Sequence, residues 1–284
     1  MTSQLCPPQI LVIAAFLLAG CASSSPPGEA GSSIKVMSYN IRYGDAALTA
    51  GTSRKDSLVV SLRYHRPDVI GVQEANEPWM AFLPGELPEY AFAGVGRDDG
   101  DTAGEFSAIF YLKDRFELID SGTFWLSETP DRPSYGWGAG HRRICTWAYL
   151  KDRVTGRVTA FFNTHLDHQV HEARVNGVDL ILTRIARTPH PVVLTGDLNV
   201  NEGSELYKAV SASSLADTKH LAAESRPHGT FNGFDPEDAT RVIDYVFVEE
   251  ERFQVLRYQV DHLWRFEQKP VSDHYPVIAE VVLR

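Results

Sequence analysis

Six short stretches of this chain place residues that can hold a metal ion or move a proton beside an apolar run. Val192-Val193-Leu194-Thr195-Gly196-Asp197-Leu198-Asn199 is the fullest of them. Three apolar β-formers after Pro191 predict a buried strand, Gly196 lets the backbone turn, and Asp197 and Asn199 emerge together at the C-terminal end. Alone, such a motif also serves as a plain turn with Asx hydrogen bonds. Ser38-Tyr39-Asn40, Gln73-Glu74, Asn163-Thr164-His165, Ile243-Asp244-Tyr245 and Ser272-Asp273-His274 end or follow apolar runs in the same manner. Six strand ends carrying Asn, Asp, Glu or His form a constellation.

These residue types can hold a hard cation, activate a water and stabilise a developing anion. Glu74, with Asn40 and Asp273, supplies the oxygen donors that a hard cation such as Mg²⁺ prefers, and no Cys or paired-His set suits structural zinc. Glu74 alone would read as an ordinary strand-end salt bridge. Asp197 would orient and deprotonate an attacking water, and Asn199 would hold that water or a phosphate oxygen. Asp244 and His274 read as a dyad: a carboxylate on one ring nitrogen favours the imidazolium, which donates to phosphoryl oxygens. His165 is expected to act likewise from a neighbouring strand. Together these residues would assist attack of water on an electrophilic centre by positioning and charge stabilisation. Arg42, Arg97, Arg142 and Arg143 are candidates to clamp a second phosphate, and Trp125, Trp137 or Phe231 to stack a ring. His168 and Arg174 follow His165 closely enough to line the same mouth. The default for all of these is a solvated loop charge or a core aromatic.

Positioning such a set requires two sheets. Ile34–Asn40 alternates as a first strand, Arg54–Arg66 carries Leu58, Val59 and Leu62 at helical spacing, and Asp68–Glu74 is a nearly unbroken apolar strand, which together predict a crossover within one sheet. From Tyr90 the pattern turns to β, with strands expected at Phe106–Leu112, Phe116–Trp125, Ile144–Leu150 and Val158–Asn163. The Gly- and Pro-rich loops Gly94–Asp101 and Ser127–Gly140 are long enough to shape a pocket. Helices at Arg174–Arg187 and near Ser204–Ser211 and strands at Val242–Val248, Phe253–Gln259 and Val277–Leu283 complete the second half. Two β-rich halves with helices at comparable places predict an α/β fold, a four-layer α-β-β-α sandwich.

The order Asn40, Glu74, His165, Asp197-x-Asn199, Asp244, Asp273-His274 resembles the endonuclease/exonuclease/phosphatase superfamily, the DNase I-like fold, from Ile34 to Leu283. Val95–Gly100, Ser121–Ser127 and Gly229–Phe234 look like an exported bacterial subgroup. The resemblance implies a phosphoric ester hydrolase using Mg²⁺ or Mn²⁺, with in-line attack of water on phosphorus.

The N-terminus carries a separate message. Ile10 to Ala19 is an apolar run too short to span a bilayer, and Leu18-Ala19-Gly20-Cys21 resembles the bacterial lipobox, so residues 1–20 are expected to be a signal peptide and Cys21 a lipidated membrane anchor. Alternatives are a cleaved soluble protein and a cytosolic chain with an apolar leader. Ala22-Ser23 place no Asp directly after Cys21, which by resemblance to known sorting rules favours the outer membrane. Residues 21–33 read as a flexible tether and 34–284 as the catalytic domain. No charged residue precedes Cys21, so the mature chain keeps its formal charge of −10, a balance that disfavours a nucleic-acid partner. Cys145 has no partner for a disulfide in the mature chain and reads as inert packing. The first functional expectation is an envelope phosphoesterase for a small-molecule or lipid phosphoester, such as an inositol phosphate, a sphingomyelin-like head group or a nucleotide. An exported nuclease is the second, and a non-catalytic module binding phosphorylated ligands the third.

Overall fold

A computed structural model describes residues 32–44, 54–266 and 268–284. The leader, Cys21 and most of the tether lie outside them. In chain order the elements are β1 (Ile34–Asn40), α1 (Arg54–His65), β2 (Val69–Ala75), α2 (Glu77–Glu86), β3 (Tyr90–Ala93), β4 (Phe106–Leu112), β5 (Phe116–Trp125), β6 (Ile144–Asp152) and β7 (Val158–His165). There follow α3 (His171–Ile185), β8 (Val192–Asp197), α4 (Glu205–Ser211), β9 (Leu215–Asp217), α5 (Thr218–Leu221), β10 (Glu224–Arg226), β11 (Asp244–Glu249), β12 (Phe253–Val260), β13 (Arg265–Phe266), β14 (Lys269–Pro270) and β15 (Val277–Leu283). One sheet has the order β10-β12-β15-β1-β2-β4-β3 and the other β5-β6-β7-β8-β11-β9. β1 and β2 pair in parallel across α1, and β7 and β8 pair in parallel across α3. Every other pairing in the two large sheets is antiparallel except β10 with β12.

Three apolar clusters make the layers. Ile34, Val36, Val69, Phe161, Val193, Val246 and Val277 meet between the sheets. Met37, Tyr39, Ile70 and Val72 pack with Leu58, Leu62 and Trp79 of α1 and α2, while Phe162, Leu194 and Phe247 pack with Val178, Ile181 and Leu206 of α3 and α4. The expected four-layer sandwich is therefore the fold.

Period-two alternation decides where the polar residues go. The inter-sheet face of β1 reads Ile34, Val36, Ser38, Asn40, and that of β8 reads Val193, Thr195, Asp197, so each strand passes from apolar to polar toward one end. Midway, Gln73 Nε2 donates to Asn163 Oδ1 at 2.7 Å, Asn163 Nδ2 donates to Val72 O and Ala108 O at 2.9 Å each, and Thr195 Oγ1 donates to Asn163 Oδ1 at 3.0 Å. This fully buried network fixes the register of one sheet against the other. Gly71 makes room for it, because a Cβ there would lie 2.0 Å from Thr195 Oγ1. Asn163 is thus a bridge between sheets, not a site residue.

Some elements differ from expectation. Gly196 remains inside β8 and serves close packing against Thr164 O, where a Cβ would come within 2.6 Å; Asn199, with φ 51°, makes the turn instead. α3 begins at His171, because Asp167 Oδ1 accepts from Gln169 N and Val170 N and organises the turn before it. The short pairings at β9, β10, β13 and β14 span too few residues to show a period.

Candidate active site

The polar ends of the strands meet in a cavity of about 600 Å³. Asp197 stands at its floor, 1% exposed. Its Oδ1 accepts from Asn199 N at 2.9 Å, and its Oδ2 accepts from Asn40 Nδ2 at 3.0 Å. His165 Nε2 lies 3.5 Å and His274 Nε2 3.7 Å from the same Oδ2. Behind His274, Nδ1 sits 2.9 Å and 3.1 Å from the two carboxylate oxygens of buried Asp244. The backbone amides of Ile243 and Asp244 donate to Thr230 Oγ1, so the Gly229–Phe234 segment is scaffolding for the dyad.

The electrostatics separate the two imidazoles. Burial opposes charge on His274, yet Asp244 and Asp197 outweigh it and raise its pKa to about 10, so this ring is an imidazolium at neutral pH. Burial, then Arg143 and Arg97, push His165 well below its ordinary value. His165 is therefore neutral, which corrects the expectation of a second imidazolium. Burial and the neighbouring Asp244 raise Asp197 to about 7, against the pull of His274, and a carboxylate at that value is matched to proton abstraction near neutrality.

One wall carries the oxygen donors. Glu74 Oε1 accepts from Asn40 Nδ2 at 3.0 Å and Oε2 from Tyr43 N at 2.8 Å. Ile70, Val72 and Ala75 all pack on the helix side, so alternation slips by one residue at a bulge. Glu74 occupies the slip with φ 62°, a left-handed conformation that is costly for a residue other than glycine and that turns its carboxylate to the mouth. Arg42, also at φ 62°, bridges Glu74 at 3.8 Å and Asp273 at 3.6 Å. A cation thus already lies within 4 Å of both carboxylates, and the donor set of Glu74, Asn40 and Asp273 is all oxygen or amide, so the residues fit a hard divalent ion. Asp197, Asp244 and His274 also converge, with ligand atoms within 4.8 Å of one another, and there the His274 imidazolium offsets one of the two carboxylate charges.

Behind this wall lies a residue that the sequence did not single out. Buried Arg54 donates from Nη1 to Ile41 O at 2.5 Å and Val271 O at 3.3 Å, and from Nη2 to Arg42 O at 2.9 Å and Gly44 O at 2.7 Å. It staples the segment after Asn40 to the segment before Asp273. It lies on the same buried face of α1 as Leu58 and Leu62, and a charge at that apolar spacing was the one signal that could have found it.

The opposite wall comes from the starts of strands. Arg97, Glu105, His141, Arg143 and His168 line it, and Phe231, Arg241 and Ile243 complete the rim. Glu105 and Arg143 immediately precede β4 and β6, which run antiparallel to β2 and β7 and so begin where those strands end. Phe231 stands edge-on to His274 at 5.1 Å, and the Arg241 guanidinium lies 4.0 Å above its ring, so this ring is already stacked by the protein.

Four expected contacts fall elsewhere. Arg174 does not reach the cavity; it donates to Asp167 O at 2.9 Å, held back by its place on α3. Trp125 is buried and donates to Arg97 O at 2.7 Å, propping the loop that carries Arg97. Trp137 packs on the helix-side core of the second sheet, and Arg142 turns outward to Asp98 and Tyr135. Asn40 and Asp244 are fully buried behind the wall, while Asn199 lines it with its amide nitrogen 3.0 Å from Leu166 O, which leaves that nitrogen a second N–H for a ligand.

The model of the endonuclease/exonuclease/phosphatase family matches residues 37–274. The chain belongs to this family. Among solved members, a mannosyl-6-phosphatase from Bacteroides thetaiotaomicron is 38% identical, with a TM-score of 0.82 over 88% of this chain and 100% of that one. An endonuclease/exonuclease/phosphatase family protein from the same organism is 37% identical, with a TM-score of 0.83 over 89% of this chain and 99% of its own. Nocturnin from Xenopus laevis is 24% identical over 71% of this chain, which spans 55% of nocturnin's length. The family is generally dependent on divalent metal ions, and the acidic cluster of this cavity accords with that.

Proposed function

We propose that the protein is a Mg²⁺- or Mn²⁺-dependent phosphoesterase that hydrolyses a small phosphoester, a sugar monophosphate foremost. The observation that carries this reading is the convergence of Asp197, the Asp244–His274 dyad and the Glu74–Asp273 wall on one closed-sided cavity. Likeness to the mannosyl-6-phosphatase supports a monoester, and the formal charge of −10 weighs against a nucleic-acid track.

Glu74, Asn40 and Asp273 would hold the metal ion, which when bound supplies Lewis-acid polarisation of a phosphoryl oxygen. Asp197 accepts the proton of the attacking water, oriented by Asn40 and by the Asn199 backbone. The His274 imidazolium donates to a phosphoryl oxygen as charge develops, with Asp244 keeping Nδ1 protonated. Neutral His165, close to Asp197 Oδ2, offers a hydrogen bond without competing for the same charge. Arg42, which faces Glu74 and Asp273, would be available to contact a phosphate oxygen once another cation offsets those carboxylates. Lipidation at Cys21 would hold the enzyme at the bacterial envelope, at the outer membrane by the residues after Cys21.

The test is a turnover screen with and without Mg²⁺ or Mn²⁺ on bis-p-nitrophenyl phosphate, p-nitrophenyl phosphate, sugar and inositol phosphates, phospholipids, plasmid and single-stranded DNA, with Asp197→Ala as blank. Metal-dependent release of phosphate from small monoesters is expected. DNA cleavage would establish the nuclease reading, and silence across the panel would leave the binding module.

A further inference from the structure

The wall formed by Arg97, Glu105, Arg143, His141 and His168 has a charge balance unlike the rest of the cavity. Arg97 forks onto Glu105, Nη1 to Oε2 at 2.7 Å and Nη2 to Oε1 at 3.1 Å, so its charge is matched. Arg143, 5% exposed, places Nε 3.6 Å from Asp167 Oδ2, and the N–H groups of Gln169 and Val170 help keep that carboxylate ionised. Two guanidinium charges therefore face two carboxylates within the wall, Arg97 through a hydrogen-bonded fork and Arg143 through a looser ionic contact that leaves its Nε and Nη1 as open donors.

His168 completes it. Its Nδ1 lies 2.9 Å from Arg143 Nη2. A guanidinium has only donors, so Nδ1 must accept, and the ring is neutral with its proton on Nε2. No protein acceptor for Nε2 is present among the described residues. The ring stacks within 23° of His141, centroids 5.9 Å apart, and both line the cavity. The wall therefore offers directional donors and flat apolar ring surface without net charge. A second phosphate would need unmatched cations; the hydroxyls of a neutral ring need what this wall has.

The geometry points to this wall as the leaving-group subsite of the phosphoesterase proposed above, and to an uncharged monosaccharide as what it takes, with His168 Nε2–H donating to a sugar oxygen. His168 and His141 are then specificity determinants, and Arg143 a positioning residue that fixes the His168 tautomer.

The experiment compares kcat/KM of the full-length protein for a hexose 6-phosphate, a hexose 1,6-bisphosphate and p-nitrophenyl phosphate, in wild type, His168→Phe and His168→Gln. His168→Phe keeps a ring beside His141 but removes the donor; His168→Gln returns an N–H. The ratio of hexose monophosphate to p-nitrophenyl phosphate should fall by about tenfold in His168→Phe, chiefly through KM, and recover in part in His168→Gln. His168 is exposed, so both variants should melt with the wild type. An unchanged ratio, or faster turnover of the bisphosphate, would overturn the subsite. No turnover of any of the three with either metal ion would overturn the hydrolase reading on which it rests.

Discussion

The two sheets reach the same mouth by the same device but bring different chemistry to it. Each holds one parallel pair, β1 with β2 and β7 with β8, and the C-terminal ends of both pairs open into the cavity. The first delivers Asn40 and Glu74 on strained backbone, with Glu74 and Arg42 both at φ 62° and Arg54 stapling the segment from behind. The second delivers His165 and Asp197 from regular strand, and here the strain is electrostatic: a buried carboxylate raised to about 7 beside Asp244. On one side the cost is conformational, at the oxygen donors; on the other it is the desolvation of a carboxylate. Substitutions on the two sides should therefore fail in different ways.

The largest effect is expected at the second sheet. Asp197→Asn should lower kcat/KM on the order of 10³-fold. It should also stabilise the fold, with a specific pH signature. Because the folded-state pKa is raised to about 7 from 3.8, the wild type binds more protons folded than unfolded between those values and loses stability as pH rises through them. Thermal melts should show the variant's advantage above about pH 7 and its disappearance near about pH 4. An advantage independent of pH would contradict the assignment.

Next is Asp244→Asn, with a fall on the order of 10²-fold in kcat/KM. His274, raised to about 10, contributes stability that is present below 6.5 and lost as pH rises through about 10. Removing its carboxylate partner should lower the melting temperature at neutral pH and draw the alkaline limb of the rate profile toward neutrality.

On the first sheet the expected failure is in affinity. Arg54→Met should raise the dissociation constant for Mn²⁺, read by electron paramagnetic resonance, by about tenfold, with a smaller change in kcat at saturating metal. Smallest is Arg174→Ala, since this side chain faces Asp167 O and not the cavity; kcat/KM should change by less than about twofold. A larger loss would return Arg174 to the mouth where its sequence position had put it.

The fold and the floor of the site were readable because strand alternation is local. An apolar run ending in Asp197 or His165 announces both the strand and the place where its side chain emerges. Antiparallel pairing is not local, and it is what the sequence leaves out. Asp244 begins β11 and Asp273-His274 precede β15, so residues expected at strand ends arrive at strand starts, and Glu105, just before β4, follows no apolar run that would mark it. The bulge that aims Glu74 and the carbonyl contacts of Arg54 leave no period in the sequence, since each depends on segments far apart in the chain. Trp125, the last residue of β5, and Trp137, in the loop that follows, show the converse: aromatic rings beside the pocket that turn inward, one to prop the Arg97 loop and the other onto the core.

The claim at the centre is that water activated at Asp197 attacks phosphorus in this cavity. Hydrolysis of a hexose 6-phosphate in H₂¹⁸O with Mg²⁺, followed by mass spectrometry of both products, tests it directly. One ¹⁸O is expected in the released phosphate and none in the sugar, with no release by Asp197→Asn above background. Label in the sugar, or undiminished release by that variant, would contradict it.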